Sequence, residues 1–294
     1  MTSGLVLIDK PQGWTSHDIV AKLRGIAGTR RVGHAGTLDP MATGLLLLGV
    51  NAGTKLLTFL VGEAKTYEAT IRLGASTITD DAEGDVTSTA DASGITRSQI
   101  ETALNELRGE IMQVPSSVSA IKVDGERAYA KVRGGDEVKL AARPITIHRF
   151  EITSEPVATD GYLDFDALIE CSSGTYIRAL ARDLGAALKV GGHLTALRRT
   201  RVGSYRVEDA VAMADLTREN LVVTSMFDSV KNSFEIRELS EQEVIDLRHG
   251  KRIARGTESS NEIAAVHNGE LIAMLEPVGS QLKSLVVFAR SEND

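Results

Sequence analysis

Residues 33–44 constrain the fold of this chain more than any other segment. They read Gly-His-Ala-Gly-Thr-Leu-Asp-Pro-Met-Ala-Thr-Gly, so that Asp39 precedes a proline within a glycine-rich stretch. The residue before a proline is disfavoured in α geometry, and glycine permits positive φ and a close approach of the backbone to a ligand. Leu45 to Leu48 follow and predict an element that anchors this loop in the core. The segment therefore predicts a tight loop presenting one carboxylate, with an ordinary Asp-Pro turn as the alternative.

Composition and length indicate a globular protein. With 294 residues, 42% of them hydrophobic and 25% charged, the chain predicts one large domain and a small one. It contains no apolar run of membrane-spanning length, and strand-like residues 5–8 stand where a signal peptide would be. Its single cysteine, Cys171, excludes a disulfide framework. These features predict a cytoplasmic protein without a membrane partner.

The net charge of −7 conceals an uneven distribution of charge. Residues 207–294 hold 9 lysines and arginines against 16 acids, which leaves residues 1–206 neutral. Within that neutral part, residues 172–206 carry seven basic residues and one acid. Such local asymmetry predicts a phosphate-binding face and an RNA partner, whereas a solvated helix face usually mixes both signs.

The hydrophobic pattern predicts alternating strands and helices. A strand over 5–9 precedes a helix from Ser16 to Arg24, for which Ser16 and the preceding Thr15 are the expected caps. Alternation over 67–73 predicts a half-buried strand, and residues 98–107 have the spacing of an amphipathic helix. Further on, 162–171 predicts a strand.

A helix capped by Thr175 and running to Leu188 follows that strand. Arg178 and Arg182 lie four residues apart on it, where like charges repel, and Arg178 falls in the first turn, where the helix dipole disfavours a cation. These small penalties indicate an acid or a phosphate opposite the two side chains.

Five segments together resemble the motifs of the TruB family, the tRNA pseudouridine-55 synthases. They occur in the family's order and cover roughly the first 205 residues. The five are Asp9 to Ser16, the 33–44 window, Lys65-Thr66-Tyr67, Cys171 to Arg178 and Leu197-Arg198-Arg199.

The resemblance implies an α+β fold: a pseudouridine-synthase-like mixed, largely antiparallel sheet flanked by helices. It implies a catalytic domain over 1–230, with a thumb-like insertion at 113–147 that closes on an RNA stem-loop. Residues 231–294 resemble a small β-rich, PUA-like RNA-binding module. There, a capped helix from Ser240 ending at Gly250 and a hairpin turn at 267–269 are predicted.

Site residues follow from the same resemblance. It implies that Asp39 is the catalytic carboxylate and that Arg178 pairs with it. Tyr67 would pack on the flipped uracil, and His34 would fill space in the disrupted RNA loop. The remaining substrate-binding candidates are Tyr176, Leu197, Asp81 and Lys10, of which Lys10 is expected mainly to support the catalytic loop. For Tyr67 and Leu197 a plain core position is the alternative.

The implied reaction needs no metal and no cofactor. The N1–C1′ bond of uridine breaks, the base rotates, and C5 bonds to C1′, without oxidation or group transfer. An aspartate is ionised at neutral pH without an activating base, and the uridine must be flipped out of its stack to reach it. Addition of Asp39 to the uracil ring, attack on C1′ and abstraction of the 2′-proton remain open.

Three functions are compatible with these observations. The first is a monomeric enzyme that isomerises uridine 55 in the T stem-loop of tRNA, an activity that members of the family can combine with assistance of tRNA folding. The second is a related synthase that modifies another RNA or another position. The third is a tRNA-binding or tRNA-folding protein without turnover, against which the intact Asp39 and Arg178 argue.

Overall fold

The computed structural model describes residues 2–116, 122–123, 126–127 and 140–288. Much of this part of the chain is β-structure, with strands β1 to β21 in chain order. The first eleven are β1 Gly4–Lys10, β2 Val32–Ala35, β3 Thr43–Val50, β4 Lys65–Leu73, β5 Ala75–Thr77, β6 Val86–Thr89, β7 Gly109–Gln113, β8 Lys122–Val123, β9 Glu126–Arg127, β10 Arg143–Ile152 and β11 Val157–Thr159. The others are β12 Tyr162–Cys171, β13 Gly192–Val202, β14 Tyr205–Arg206, β15 Val211–Ala212, β16 Thr224–Ser225, β17 Glu235–Glu238, β18 Ile253–Ala254, β19 Ile263–His267, β20 Glu270–Val278 and β21 Gln281–Val287.

Twelve of the described strands form one mixed sheet. Its spatial order is β15-β1-β3-β13-β4-β12-β10-β7, with β2, β11, β14 and β16 paired beside this path. Among these strands only the β1–β15 and β3–β13 pairings are parallel. The predicted mixed, largely antiparallel sheet is confirmed. Two short hairpins, β5–β6 and β8–β9, stand apart from it.

The described residues form five α-helices and one 3₁₀ helix. None of these helices is both long and apolar enough to cross a membrane. They are α1 Ser16–Ala27, α2 Gly53–Leu60, α3 Arg97–Asn105, α4 Ile177–Ala187, α5 Glu241–Arg248 and the 3₁₀ helix Val207–Asp209.

Strand β3 is buried on both faces, as its run of leucines predicts. Leu46 and Leu48 pack in one apolar cluster with α1, whereas Leu45 and Leu47 pack in another with α2. All four are fully buried. Because the loop of residues 36–42 leads directly into this strand, its position is fixed by the core of the sheet.

Strands β4 and β13 carry residues that face the site. Tyr67, Ala69, Ile71 and Leu73 alternate as buried positions along β4, as predicted. They belong to the cluster that includes Ile177 and other apolar residues of α4. The cluster therefore seats α4 against this face of the sheet.

Two predicted helix caps are wrong. Thr15, not Ser16, caps α1, because its hydroxyl accepts from the Asp18 N–H and the Asp18 carboxylate accepts from the Thr15 N–H. Tyr176, not Thr175, is the N-cap residue of α4. The Thr175 hydroxyl donates instead to the Ser172 carbonyl at 2.9 Å, so the turn before the helix uses the predicted capping group.

A second sheet follows the large one. Strands β17 to β21 form it in the order β17-β19-β20-β21-β18, with α5 capped by Ser240 as predicted. Ala264 and Val266 of β19 share an apolar cluster with Leu45 and Leu47 of β3. The C-terminal β-rich unit is confirmed, and it packs on the back of the strand that supports the Asp39 loop.

The predicted thumb lies partly outside the described residues. Residues 117–121, 124–125 and 128–139 of the 113–147 segment fall there. At one end of the segment, the structure describes Gln113, the last residue of β7, and residues 114–116. At the other end it describes residues 140–142 and the first five residues of β10, 143–147.

Candidate active site

The backbone of the Asp39 loop is hydrogen-bonded to residues between the end of β1 and the start of α1. The Gly13 N–H donates to the Pro40 carbonyl at 2.8 Å. The Ser16 hydroxyl donates to the Leu38 carbonyl at 3.1 Å and accepts from the Leu38 N–H at 2.9 Å. These bonds fix the backbone on both sides of Asp39. The position of the Asp39 carboxylate is therefore set through the backbone of its neighbours Leu38 and Pro40.

Lys10 supports the same loop from the protein interior. Its side chain is fully buried, and its ammonium donates to the carbonyls of Trp14, Pro11 and Pro40 at 2.6, 3.0 and 3.4 Å. Burial lowers the pKa of Lys10 to about 8, against the opposing effect of the Asp39 charge. Lys10 does not line the cavity described below, and this position agrees with a supporting role.

Asp39 and Arg178 form the ion pair that the resemblance implies. Arg178 Nε lies 3.0 Å from Asp39 Oδ2, although the two residues are 139 positions apart. The Arg178 side chain is 6% exposed and the Asp39 side chain 39% exposed. The guanidinium is thus fixed in the protein, while part of the carboxylate remains open to a ligand.

Asp81 holds the other side of the same guanidinium. Arg178 Nη1 lies 3.3 Å from Asp81 Oδ2 and donates to the Thr79 carbonyl at 2.7 Å. The Asp81 carboxylate also accepts from the Thr79 hydroxyl at 2.5 Å and from the Glu83 N–H at 3.0 Å. Since Asp81 is buried and does not line the cavity, it positions Arg178 and makes no wall for a ligand.

A parallel pairing lies one turn along α4. Arg182 Nη1 is 3.3 Å from Asp80 Oδ2, and the other terminal nitrogen of Arg182 is 2.8 Å from Asp183. Burial raises the pKa of Asp80, and the Arg182 charge opposes that shift. Two consecutive acids therefore meet the two arginines, and acids rather than phosphates explain the like-charged spacing in the sequence.

A cavity of about 260 Å³ opens beside the Asp39 carboxylate. This volume lies just below the range of about 300–1,000 Å³ found for drug-sized ligands, so the cavity suits one heteroaromatic ring. Five predicted site residues line it: Asp39, Tyr67, Tyr176, Arg178 and Leu197.

His34 does not line this cavity. Its ring meets the ring of His17 edge to face, with centroids 5.7 Å apart. The His34 Nδ1 atom is buried and has no hydrogen-bond partner in the described part of the chain, and burial lowers the pKa of the ring. Its predicted contact with an RNA loop stays a prediction.

Arg199 lines the cavity, although the sequence predicts no individual role for it beyond membership of the basic face. Its side chain is 1% exposed, and its guanidinium donates to the carbonyls of Leu45, Gly36 and Thr37 at 2.8, 3.0 and 3.5 Å. It therefore clamps the Asp39 loop from the side of β13. Burial raises the pKa of Tyr67, and the charge of Arg199 opposes that shift.

Lys65 is the second cation that the sequence analysis left without a role. Its ammonium donates to the carbonyls of Glu63 and Val61 at 2.6 and 3.0 Å. Burial and, to a smaller extent, the Arg199 charge lower the pKa of Lys65 to about 8. Side chains two positions apart on a strand point to the same face of a sheet, so Lys65 shares a face with Tyr67, and Arg199 with Leu197. This alternation would have predicted Lys65 and Arg199 as site residues.

The basic residues of 172–206 do not form the free phosphate-binding face that their number predicts. Arg178, Arg182, Arg198 and Arg201 form ion pairs with acids, and Arg199 is buried against carbonyls. Of the seven basic residues counted in 172–206, only Lys189 and Arg206 are exposed. The excess of basic residues in this segment is balanced by acids from distant parts of the chain, so it does not measure a free basic surface.

Replacing Arg199 with methionine is expected to lower the free energy of unfolding by about 2–4 kcal/mol. Three carbonyls that now accept from the guanidinium would be left without that donor in a buried place. Urea denaturation measures the change, and the exposed Arg206→Met is the matched control. A loss no larger than that of the control would contradict the clamping role.

The described residues contain no group of three or more His, Cys, Asp or Glu side chains that could hold a metal ion. The polar groups that line the cavity are hydroxyls, backbone groups, one carboxylate and three cations. This set suits an uncharged polar ring beside a carboxylate.

Comparison with known proteins agrees with the fold. Residues 24–177 match the family model for the TruB family pseudouridylate synthase N-terminal domain. Residues 178–239 match the tRNA pseudouridylate synthase B C-terminal domain, and 234–289 match the tRNA pseudouridine synthase II C-terminal model. These matches place the chain in the class of pseudouridylate synthases.

Related sequences and solved structures extend over nearly the whole chain. The tRNA pseudouridine synthase B of Arthrobacter sp. (strain FB24) is 56% identical, over 99% of this chain and 98% of that protein. That of Streptomyces griseus is 53% identical, over 97% of both chains. The chain belongs to the TruB family, and the resemblance drawn from its motifs is confirmed.

Solved structures show the same fold at lower identity. The structure of an H/ACA RNP bound to a substrate RNA containing 2′-deoxyuridine has a TM-score of 0.72 at 22% identity, covering 98% of this chain and 86% of that chain. A Cbf5-Nop10-Gar1 complex has the same TM-score at 24% identity, covering 97% and 85% of the respective chains.

Proposed function

We propose that this protein isomerises uridine to pseudouridine at position 55, in the T stem-loop of tRNA, without a cofactor. The observation that carries the proposal is the partly open Asp39 carboxylate, paired with the buried Arg178 at a ring-sized cavity in a TruB chain. The relatives at 50–56% identity are named tRNA pseudouridine synthase B. Action as a monomer in the cytoplasm belongs to the same proposal.

The chemistry assigns distinct tasks to the cavity residues. Asp39 meets the reacting nucleoside, and Arg178 fixes the orientation of its carboxylate through a charge-assisted bond. Tyr67, Tyr176 and Leu197 form the walls against which the base packs. Asp39 adds to the ring, attacks C1′ or removes the 2′-proton. In each path the N1–C1′ bond breaks, C5 bonds to C1′, and the hydrogen on C5 is released as a proton.

The size of the cavity requires base flipping. A ring stacked inside an RNA loop cannot enter a space of about 260 Å³ in the protein. The target uridine must leave its stack, and the apolar walls and aromatic rings replace part of the lost stacking. His34, at the edge of the Asp39 loop on β2, is proposed to fill the space that the base vacates.

The two appended parts are proposed to hold the RNA. A catalytic domain over 1–230 carries the site, the 113–147 segment acts as a thumb on the stem-loop, and residues 231–294 form an RNA-binding module. In support, the two described ends of the 113–147 segment belong to adjacent strands, β7 and β10, of the catalytic sheet. The C-terminal unit is acidic overall, and its one cluster of basic residues, between Arg248 and Arg255, is proposed as its RNA contact.

Transfer RNA labelled with tritium at uracil C5 tests the proposal. We expect release of about one tritium per tRNA in buffer containing a metal chelator, because C5 exchanges its hydrogen for carbon. A minimal T-arm hairpin should release label as well, and replacement of uridine 55 by cytidine should stop release. Retention of label with every tRNA would favour a binding protein without turnover. Release from the cytidine variant would favour another target position.

A further inference from the structure

The end of strand β7 is joined to the start of α4 by a reciprocal pair of hydrogen bonds. Gln113 Nε2 donates to the Tyr176 carbonyl at 3.1 Å, and the Tyr176 N–H donates to Gln113 Oε1 at 2.9 Å. Gln113 is 2% exposed, and the two residues are 63 positions apart. Only one orientation of the side-chain amide satisfies both bonds, so Gln113 recognises the Tyr176 backbone as a neighbouring strand would.

The partner of Gln113, Tyr176, lies between the cavity and the helix that carries Arg178. Tyr176 is the N-cap residue of α4, lines the cavity and precedes Arg178 by two positions. Within the described part of the chain, the Tyr176 side chain makes no capping bond to the helix. Gln113 therefore fixes the backbone of the cap residue from outside the helix. It thereby sets the direction in which the first turn, with Arg178, leaves the sheet.

Two further contacts bind the same short segment to α4. The Val114 carbonyl accepts from Arg182 Nη2 at 2.7 Å. The Ser116 hydroxyl lies 3.4 Å from Arg178 Nη1 and donates to the Thr79 carbonyl at 3.2 Å. Residues 113–116 thus contact the helix at its cap, at Arg178 and one turn later.

We propose that Gln113 is a positioning residue for the Asp39–Arg178 pair. It acts through the Tyr176 backbone and touches neither the substrate nor the reacting atoms. This inference rests on the proposed function, because it concerns the rate of the same isomerisation. A displacement of about 1 Å in a catalytic group can reduce a rate by about a hundredfold, which makes a bidentate anchor at the helix start consequential.

The test compares Gln113→Leu with the wild-type chain in single-turnover tritium release, tRNA binding and thermal unfolding. We expect the single-turnover rate to fall by about tenfold to a hundredfold, with tRNA affinity changed by less than about threefold. The matched control is Arg108→Met at the opposite end of β7, where the guanidinium donates twice to the Phe150 carbonyl. The control should lose stability and keep its rate.

A double-mutant cycle separates positioning from a general structural effect. If Gln113 acts through Arg178, Gln113→Leu should lower the rate by less than about threefold in an Arg178→Lys background. An unchanged rate in the single variant, or an undiminished loss in that background, would overturn the inference. If Gln113→Leu does not fold, Gln113→Asn is read by the same criteria, since its side chain is one methylene too short for both bonds. Absence of tritium release from the wild-type chain would instead refute the proposed function.

Discussion

Asp39→Asn is expected to reduce single-turnover pseudouridine formation by about 10⁴-fold or more, while tRNA affinity changes by less than about threefold. Asparagine keeps the shape of the side chain and can still lie beside Arg178, but it is neither a nucleophile nor a base. The buried Arg178 keeps its contacts with Asp81 and the Thr79 carbonyl, so loss of the Asp39 charge does not leave the guanidinium unpaired. Tritium release and a filter-binding titration on the same preparation measure the two quantities.

Asp164→Asn is the matched control for that variant. Asp164 pairs with Arg72 across β12 and β4 at 2.6 Å, in the same sheet but away from the cavity. It should retain the wild-type rate. Equal losses of rate and affinity in Asp39→Asn, or a similar rate loss in the control, would mean that Asp39 serves the fold rather than the reaction.

Arg178→Lys is expected to lower the single-turnover rate by about 10²- to 10³-fold, with tRNA affinity again within about threefold. Lysine keeps the positive charge but is a single point donor. It cannot direct Nε at Asp39 while Nη1 serves Asp81 and the Thr79 carbonyl. The loss should therefore appear in the chemical step, and rapid-quench measurement of tritium release at saturating enzyme determines it.

The same change at Arg72 provides the comparison. Arg72→Lys alters a bidentate pair with Asp164 on the sheet and should leave the rate within about twofold. An Arg178→Lys rate near that of wild type would show that charge alone suffices. In that case the fork geometry between Asp39 and Asp81 would have no part in catalysis.

The three cations around the cavity differ in how they are held. Arg178 is held by two carboxylates and backbone, whereas Arg199 and Lys65 donate mainly to carbonyl groups. Carbonyls orient a cation without neutralising it, so Arg199 and Lys65 retain their positive charge at the cavity. This positive charge suits the carbonyl oxygens of a pyrimidine ring and any negative charge that develops on them.

Local patterns predicted the elements that depend on local physics. The alternation in β4, the leucine run of β3 and the capping box of α5 all appear as expected, because burial on one or both faces and cap chemistry leave direct marks in the sequence. The Asp39–Arg178 pair was predicted from resemblance and is present in the structure. Sequence spacing alone could not have joined two residues 139 positions apart.

The errors arose where a side chain had more than one possible partner. Ser16 and Thr175 are both good helix caps, yet Ser16 binds the backbone of Leu38 and Thr175 binds Ser172. The cluster of basic residues in 172–206 predicts an RNA-binding face, but four of its seven side chains pair with acids from other parts of the fold and Arg199 is buried against carbonyls. In each case the residue type determined the bonding capacity of the group, and the fold selected the partner.

By itself, therefore, the amino-acid sequence determined the family, the mixed sheet with its small β-rich C-terminal unit, and the loop that presents Asp39. The sheet and the C-terminal unit follow from the resemblance of the motifs to the family, and the loop follows from turn chemistry; motifs and turns are properties of short segments. Only the tertiary structure decided that Asp81 lies behind Arg178, that Arg199 clamps the Asp39 loop and that Gln113 anchors the start of α4. The reason is physical: each is a buried polar contact between residues far apart in the chain, and its partner exists only after the strands have taken their order in the sheet.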